Sequence, residues 1–361
     1  MSFSRILSST ISKYLRKEEV NILRKRKLLA ALSKKGRLTY NDSGEQLEWY
    51  VRYKRAPLIQ YADAEQLTFP RRDKRKKPTL GWRAYAATDS MTKMERLQNR
   101  GAEAIIKLYS NLTKELLEDI REHFCEELYI DGNAAANTKR IHGLNSFFGC
   151  SGNGNGTTQP AFLGATNDTY AGFTTGLGDY GGTWTGVWPA GTGDTHYDWW
   201  TPTVVDLVHT GWTAATASFV ANAVEGIRYG ISAAQKNSEM LDLILLERDW
   251  YRQFQGLLDD KERINVERNR ANSLMVSLGF GDVTNFDGVD ITWEYGLPTA
   301  RGFGLSLDQL ELRSMQGQLF DSNAEDFDLA GLSHRFAVDF FGNMRCNPRS
   351  QVKFTDDPAT T

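Results

Sequence analysis

GAEAIIKLYSNLTKELLEDIREHFCEELYIDG, residues 101–132, decides the reading of this chain. Its apolar residues Ile105, Leu108, Tyr109, Leu112, Leu116, Ile120, Phe124 and Leu128 recur mostly at spacings of three or four, the repeat of one helical face. Acidic and basic residues fill the opposite face. From Ala102 to Tyr129 such a helix spans about 42 Å at 1.5 Å per residue. Ile130-Asp131-Gly132 reads as its stop, and Thr92-Lys93-Met94-Glu95, further upstream, fits a capping box. The face carrying Leu112, Leu116, Ile120 and Phe124 is expected to pack on late strands around Phe336–Phe341.

Working back toward the N-terminus, residues 37–90 read as a long hairpin. Leu47-Glu48-Trp49-Tyr50-Val51-Arg52-Tyr53 mixes aromatics and charges as a strand does, and Leu80-Gly81-Trp82-Arg83-Ala84-Tyr85 is a second such stretch. Between them lies Pro70-Arg71-Arg72-Asp73-Lys74-Arg75-Lys76-Lys77-Pro78. Six Lys and Arg in that run, Arg71, Arg72, Lys74, Arg75, Lys76 and Lys77, cannot be core. The tip is expected to project into water or onto an acidic partner. Residues 1–36 hold two basic amphipathic stretches, the second around Val20, Ile22, Leu23, Leu28 and Leu29. Arg24, Lys25, Arg26 and Lys27 crowd it. With too little apolar area to fold alone, this segment reads as an arm that packs on another subunit.

Toward the C-terminus the character changes twice. Residues 141–227 contain neither Lys nor Arg and only six acids, and twelve Gly fall between 150 and 200. Trp184, Trp188, Trp199, Trp200 and Trp212 lie in the same region, which reads as a long insertion pinned by aromatics. A surface without Lys or Arg is a poor partner for nucleic acid, so this segment is expected to face away from any such polymer or to lie in a contact between copies. A helical pattern then runs over Ala214–Lys236. Leu241–Leu246 reads as a buried strand, Arg248–Leu258 as a helix, Val289–Trp293 and Leu310–Leu312 as strands and His334–Met344 as a last long strand, with Gln351–Phe354 closing the fold. The fold class is α+β.

With 361 residues and 40% hydrophobic content, the chain can build a substantial core. No apolar run is long enough to span a membrane, and the N-terminus lacks the form of a secretory signal. Cys125, Cys150 and Cys346 form no CxxC pair, and an odd count argues against a disulfide framework. Net charge is −2, yet residues 1–100 hold 24 Lys and Arg against 10 Asp and Glu, while the remainder holds 19 against 35. A basic front and an acidic back invite head-to-tail contact between copies.

No catalytic, metal or cofactor pattern is recognisable. GNGNG at 152–156 lacks the helix and the GK[ST] ending of a phosphate loop. His123, His142, His196, His209 and His334 have no ligand spacing, and Asp194–Asp198 sits in a glycine-rich loop where solvated polar residues are expected. Cys125, on the apolar helix face, reads as an inert core thiol.

The succession of basic arm, charged hairpin, long helix, α/β domain and closing strands resembles the major capsid protein of tailed bacteriophages, the fold named after phage Hong Kong 97. Gly101–Ile106 through Leu128–Gly132 resembles that family's spine helix and its exit. Ile141-His142-Gly143-Leu144 resembles the step into the axial domain, and Leu243–Leu246 with Asp249-Trp250-Tyr251 its buried strand and next helix. Val289–Glu294, Gly302–Leu312, Ala324–Phe327, Arg335–Phe341 and Asn347-Pro348-Arg349 resemble the later strands and closing segment. The resemblance covers about the whole chain in order. It implies an N-terminal arm (1–36), an extended loop (37–90), a peripheral domain with the spine helix (91–149), an axial domain (150–300) and strands returning to the peripheral domain (301–361).

The same resemblance implies a virion protein assembled in the host cytoplasm, with no enzymatic activity and no cofactor. Its copies would form pentamers and hexamers of an icosahedral shell around double-stranded DNA. Portal, scaffold and decoration proteins are the implied partners, with unspecific DNA contact and no membrane. No Lys–Asn constellation points to the covalent crosslinking some relatives perform. Two other readings stay open: an encapsulin-type compartment around enzyme cargo, and a carbohydrate-binding protein using Asp198, Trp199 and Trp200.

Overall fold

The long strand Ser333–Cys346 organises one of two main sheets. Along one edge it pairs antiparallel with Arg83–Thr92 over ten residues, from Ser333 opposite Thr92 to Gly342 opposite Arg83. Along its other edge lie Asp321–Asp328 and Leu310–Met315, both antiparallel, and Leu38–Asp42 adds parallel to Leu310–Met315. The computed structural model describes residues 26–52, 58–63, 65–71, 73–98, 112, 115–116, 118–120, 122–148, 169–175, 200, 202–208, 212–235, 239–259, 273–317, 321–328 and 333–356.

The helix read from residues 101–132 is described at 112, 115–116, 118–120 and 122–127, all helical. Leu116 and Phe124 are buried, Ile120 packs against the same core, and Leu112 is half-buried. The Phe124 ring meets Phe340 edge-on at 4.9 Å and Tyr85 at 6.4 Å, which seats this helix on the paired strands Arg83–Thr92 and Ser333–Cys346. The capping box forms reciprocally. The Thr92 N–H donates to Glu95 Oε2 at 2.9 Å, and the Glu95 N–H donates to Thr92 Oγ1 at 3.3 Å.

The helix exit explains the Gly at 143. The chain turns back over the helix end, where the Leu144 N–H donates to Leu128 O at 2.7 Å. A Cβ on Gly143 would lie 2.6 Å from the carbonyl oxygens of Ile130 and Leu128 and 2.7 Å from that of Glu127. Three backbone atoms cannot all give way. Gly143→Ala should therefore cost about 3 kcal/mol, the upper end of ordinary overpacking, read as a lower denaturation midpoint.

The second sheet has the order Thr284–Phe286, Val289–Trp293, Leu243–Leu246, Arg301–Leu305, Val352–Thr355, Thr203–Asp206. Leu243–Leu246 reads as an unbroken apolar run because both of its faces are covered. Leu243 and Leu245 enter a core shared with the first sheet and the long helix. Ile244 and Leu246 enter a second core under the helices Phe219–Ala234 and Arg248–Asp259. There Phe219 stacks on Trp250 at 4.5 Å.

Two expectations need correction. The arm was expected to pack on another subunit through residues 1–36, but Lys27–Lys34 is a helix of this chain's own core. Leu28, Leu29, Ala31 and Leu32 are fully buried. The apolar surface that covers them is supplied by residues more than 200 positions later, which a local window cannot see. In addition, the glycine- and tryptophan-rich stretch is not all insertion: ahead of the helix Phe219–Ala234, which the sequence pattern places correctly, Thr203–Asp206 is a fully buried strand.

Candidate inter-subunit surface

The hairpin's root is fixed by alternation. Leu47, Trp49, Val51 and Leu80 point inward and are buried, while Gln46, Glu48, Tyr50 and Arg52 point out. Gln46–Glu48 pairs antiparallel with Thr79–Gly81, and Val51–Arg52 with Arg75–Lys76. Trp49 anchors the root: its indole N–H donates to Asn347 Oδ1 at 3.1 Å, its ring lies 6.3 Å from Tyr170, and the Arg345 guanidinium stands 5.5 Å above it.

This pairing corrects the placement of the basic tip. Arg75 and Lys76 sit in the stalk's strand pair, and Lys77 forms an ion pair with Glu48. Arg71 and Lys74 are exposed further out, and Arg72 lies outside the described residues. The outermost described part is as apolar as it is basic. Leu58 is 94% exposed and Phe69 91%, with Ile59, Tyr61 and Leu67 exposed beside them. These apolar residues form no periodic pattern, so nothing in the sequence marks them beside the charge run.

At the arm, Arg24 and Lys25 lie outside the described residues. Arg26 and Lys27 bind their own chain. The Arg26 guanidinium stands 5.5 Å from the Tyr295 ring, and Lys27 Nζ donates to Thr292 Oγ1 at 2.8 Å and Trp293 O at 2.7 Å. Buried Glu294 completes the clasp, accepting from the Leu28 N–H at 3.0 Å and from the Tyr129 hydroxyl at 2.8 Å. A carboxylate at the helix's first turn complements its positive end. Burial nevertheless pushes the Glu294 carboxyl above its ordinary pKa.

The front-to-back charge split is partly satisfied within one chain. Lys35 pairs with Asp242 at 3.0 Å, and Arg37 with Asp308 at 3.1 Å. The split therefore does not by itself require a second copy. Among the described residues of the hairpin beyond residue 70, Arg71, Lys74 and Arg75 are exposed.

Trp200 is fully buried and stacks on Tyr170 at 6.0 Å, so it cannot serve as an open sugar platform. Asp198, Trp199, the 194–198 cluster and the glycine run at 152–156 lie outside the described residues. Cys125 and Cys346 are both buried, and burial raises the Cys346 thiol well above its ordinary pKa.

No protein-family model matches the chain, and no curated protein does. Solved structures do. The cyanophage A-1(L) capsid asymmetric unit superposes with a TM-score of 0.51 at 14% identity, covering 91% of this chain and 93% of that one. The capsid of the native GTA particle gives a TM-score of 0.51 at 10% identity, covering 90% of each chain. The chain has the Hong Kong 97-type capsid fold. At these identities the likeness establishes the shared fold. What the surfaces of this chain do is a separate inference.

Proposed function

We propose that this chain is a structural shell subunit of the phage-head type, with no catalytic role. Its copies form pentamers and hexamers that close an icosahedral shell around double-stranded DNA, in a virion assembled in the host cytoplasm. The first sheet with the spine helix serves as the peripheral domain, the six-stranded sheet with its two helices as the axial domain, and the hairpin as the loop that reaches a neighbouring copy. Portal and scaffold proteins are the further partners this reading assigns.

The observation that carries the reading is the hairpin. Its root is stapled by Trp49 and by the buried residues Leu47, Val51 and Leu80, while five large apolar side chains farther out stand in water. Large exposed apolar groups on a firmly held projection mark an interaction surface. The basic residues Arg71, Lys74 and Arg75 beside them favour an acidic partner, and the chain beyond residue 100 has a surplus of acids. The end-to-end match to two capsid structures supports the same conclusion.

Velocity sedimentation of the purified full chain tests it. Large closed particles of uniform size are expected. A stable monomer at high protein concentration, with and without a scaffold partner, contradicts the proposal.

A further inference from the structure

Asn343, on the long strand, is fully buried and joins three segments. Its Nδ2 donates to Gly81 O, at the hairpin root, at 2.8 Å, and lies 3.0 Å from His142 Nδ1. Its Oδ1 accepts from the His142 N–H at 3.0 Å and from the Met344 N–H at 2.9 Å. Both amide hydrogens and both oxygen lone pairs are thus in use. Because Nδ2 has only hydrogens to offer, Nδ1 must be the acceptor and carry no proton.

A proton on Nδ1 leaves no workable arrangement. In the present orientation two donors would face each other. With the amide turned over, Oδ1 would face the Gly81 carbonyl and the NH₂ would face two backbone N–H groups. We propose that Gly81, Asn343 and His142 form a proton-sensitive clasp that fixes the root of the hairpin to the exit of the spine helix.

The surroundings favour the neutral ring. His142 is nearly buried, and Arg83, on the strand returning from the hairpin, is the charged group acting on it. The Tyr170 ring lies 6.1 Å away, but its hydroxyl is turned to Met344 O and the Cys346 N–H, and burial keeps that hydroxyl neutral. Burial first, then Arg83, holds the imidazole down to about 4 against an ordinary value of 6.5. An open root would take up a proton near the ordinary value, the closed root only near the depressed one. The clasp is at full strength above pH 6.5 and weakens as pH falls toward about 4. It belongs to the single chain and stands whether or not copies assemble.

Hydrogen exchange on the full chain at pH 7.5 and pH 5, corrected for intrinsic rates, tests the clasp. At pH 5 the root amides of Gln46–Glu48 and Thr79–Gly81 should open on the order of 20-fold more often, while Leu243–Leu246 keeps its protection. In His142→Gln the side-chain carbonyl can still accept from Asn343 but cannot titrate, so this ratio should fall to about one. The comparison is made within each variant, so a uniform loss of stability in His142→Gln does not blur it. An unchanged root in the wild type, an equal rise in both proteins, or a rise shared by Leu243–Leu246 would overturn the proposal.

Discussion

Replacing Phe124 by alanine should destabilise the folded chain by about 3–5 kcal/mol, the range for deleting a buried phenylalanine ring. Phe124 is 4% exposed, and its ring packs edge-on against both Phe340 and Tyr85, the face of the strands on which its helix sits. Removing it empties a site bounded by strands that pair along ten residues and cannot easily close inward. Leu116→Ala, one turn pair earlier on the same face, should cost about 2–5 kcal/mol. Chemical denaturation followed by circular dichroism measures both. Loss below about 1 kcal/mol for Phe124→Ala would mean that the helix does not lean on this sheet.

Reversing Arg71, Lys74, Arg75 and Lys76 to glutamate should prevent shell formation while leaving the subunit folded. Arg71 and Lys74 lie beyond the paired stalk, and Arg75 and Lys76 form its outermost strand pair with side chains outside the buried core, so the core keeps its packing. A single exposed ion pair contributes at most about 1 kcal/mol, but like charges brought face to face cost several kcal/mol, and every subunit of the shell meets that cost. Lys77 is left unchanged because it already pairs with Glu48. Particle yield by sedimentation, with circular dichroism as the folding control, gives the result. Shells of normal size from the reversed variant would remove the hairpin cations from the assembly contact.

Much of this fold was legible because its signals are local. The capping box at Thr92 and Glu95, the apolar face through Leu116 and Phe124, the strand Val289–Trp293 and the helix beginning at Arg248 are each written in neighbouring residues. What escaped depended on distant partners. Leu28 and Leu29 looked too few to form a core until Glu294, Thr292 and Trp293 closed over their helix. Thr203–Asp206 lay hidden in a glycine- and tryptophan-rich region because it is a short edge strand whose partner, Val352–Thr355, lies far downstream in the sequence. At the candidate site the charge run was visible but not its place. Pairing of Arg75 and Lys76 with Val51 and Arg52 moves the tip outward to the apolar residues near Leu58 and Phe69. The Gly81–Asn343–His142 clasp had no signature at all, since an isolated Asn and His far apart in sequence have no pattern to match.

Electron cryomicroscopy of particles formed by the full-length chain tests the central claim most directly. The account predicts closed icosahedral shells of pentamers and hexamers in which the hairpin around Leu58 and Phe69 of one subunit lies on its neighbour. Particles without closed symmetry, or a shell in which that hairpin touches only its own subunit, would contradict it.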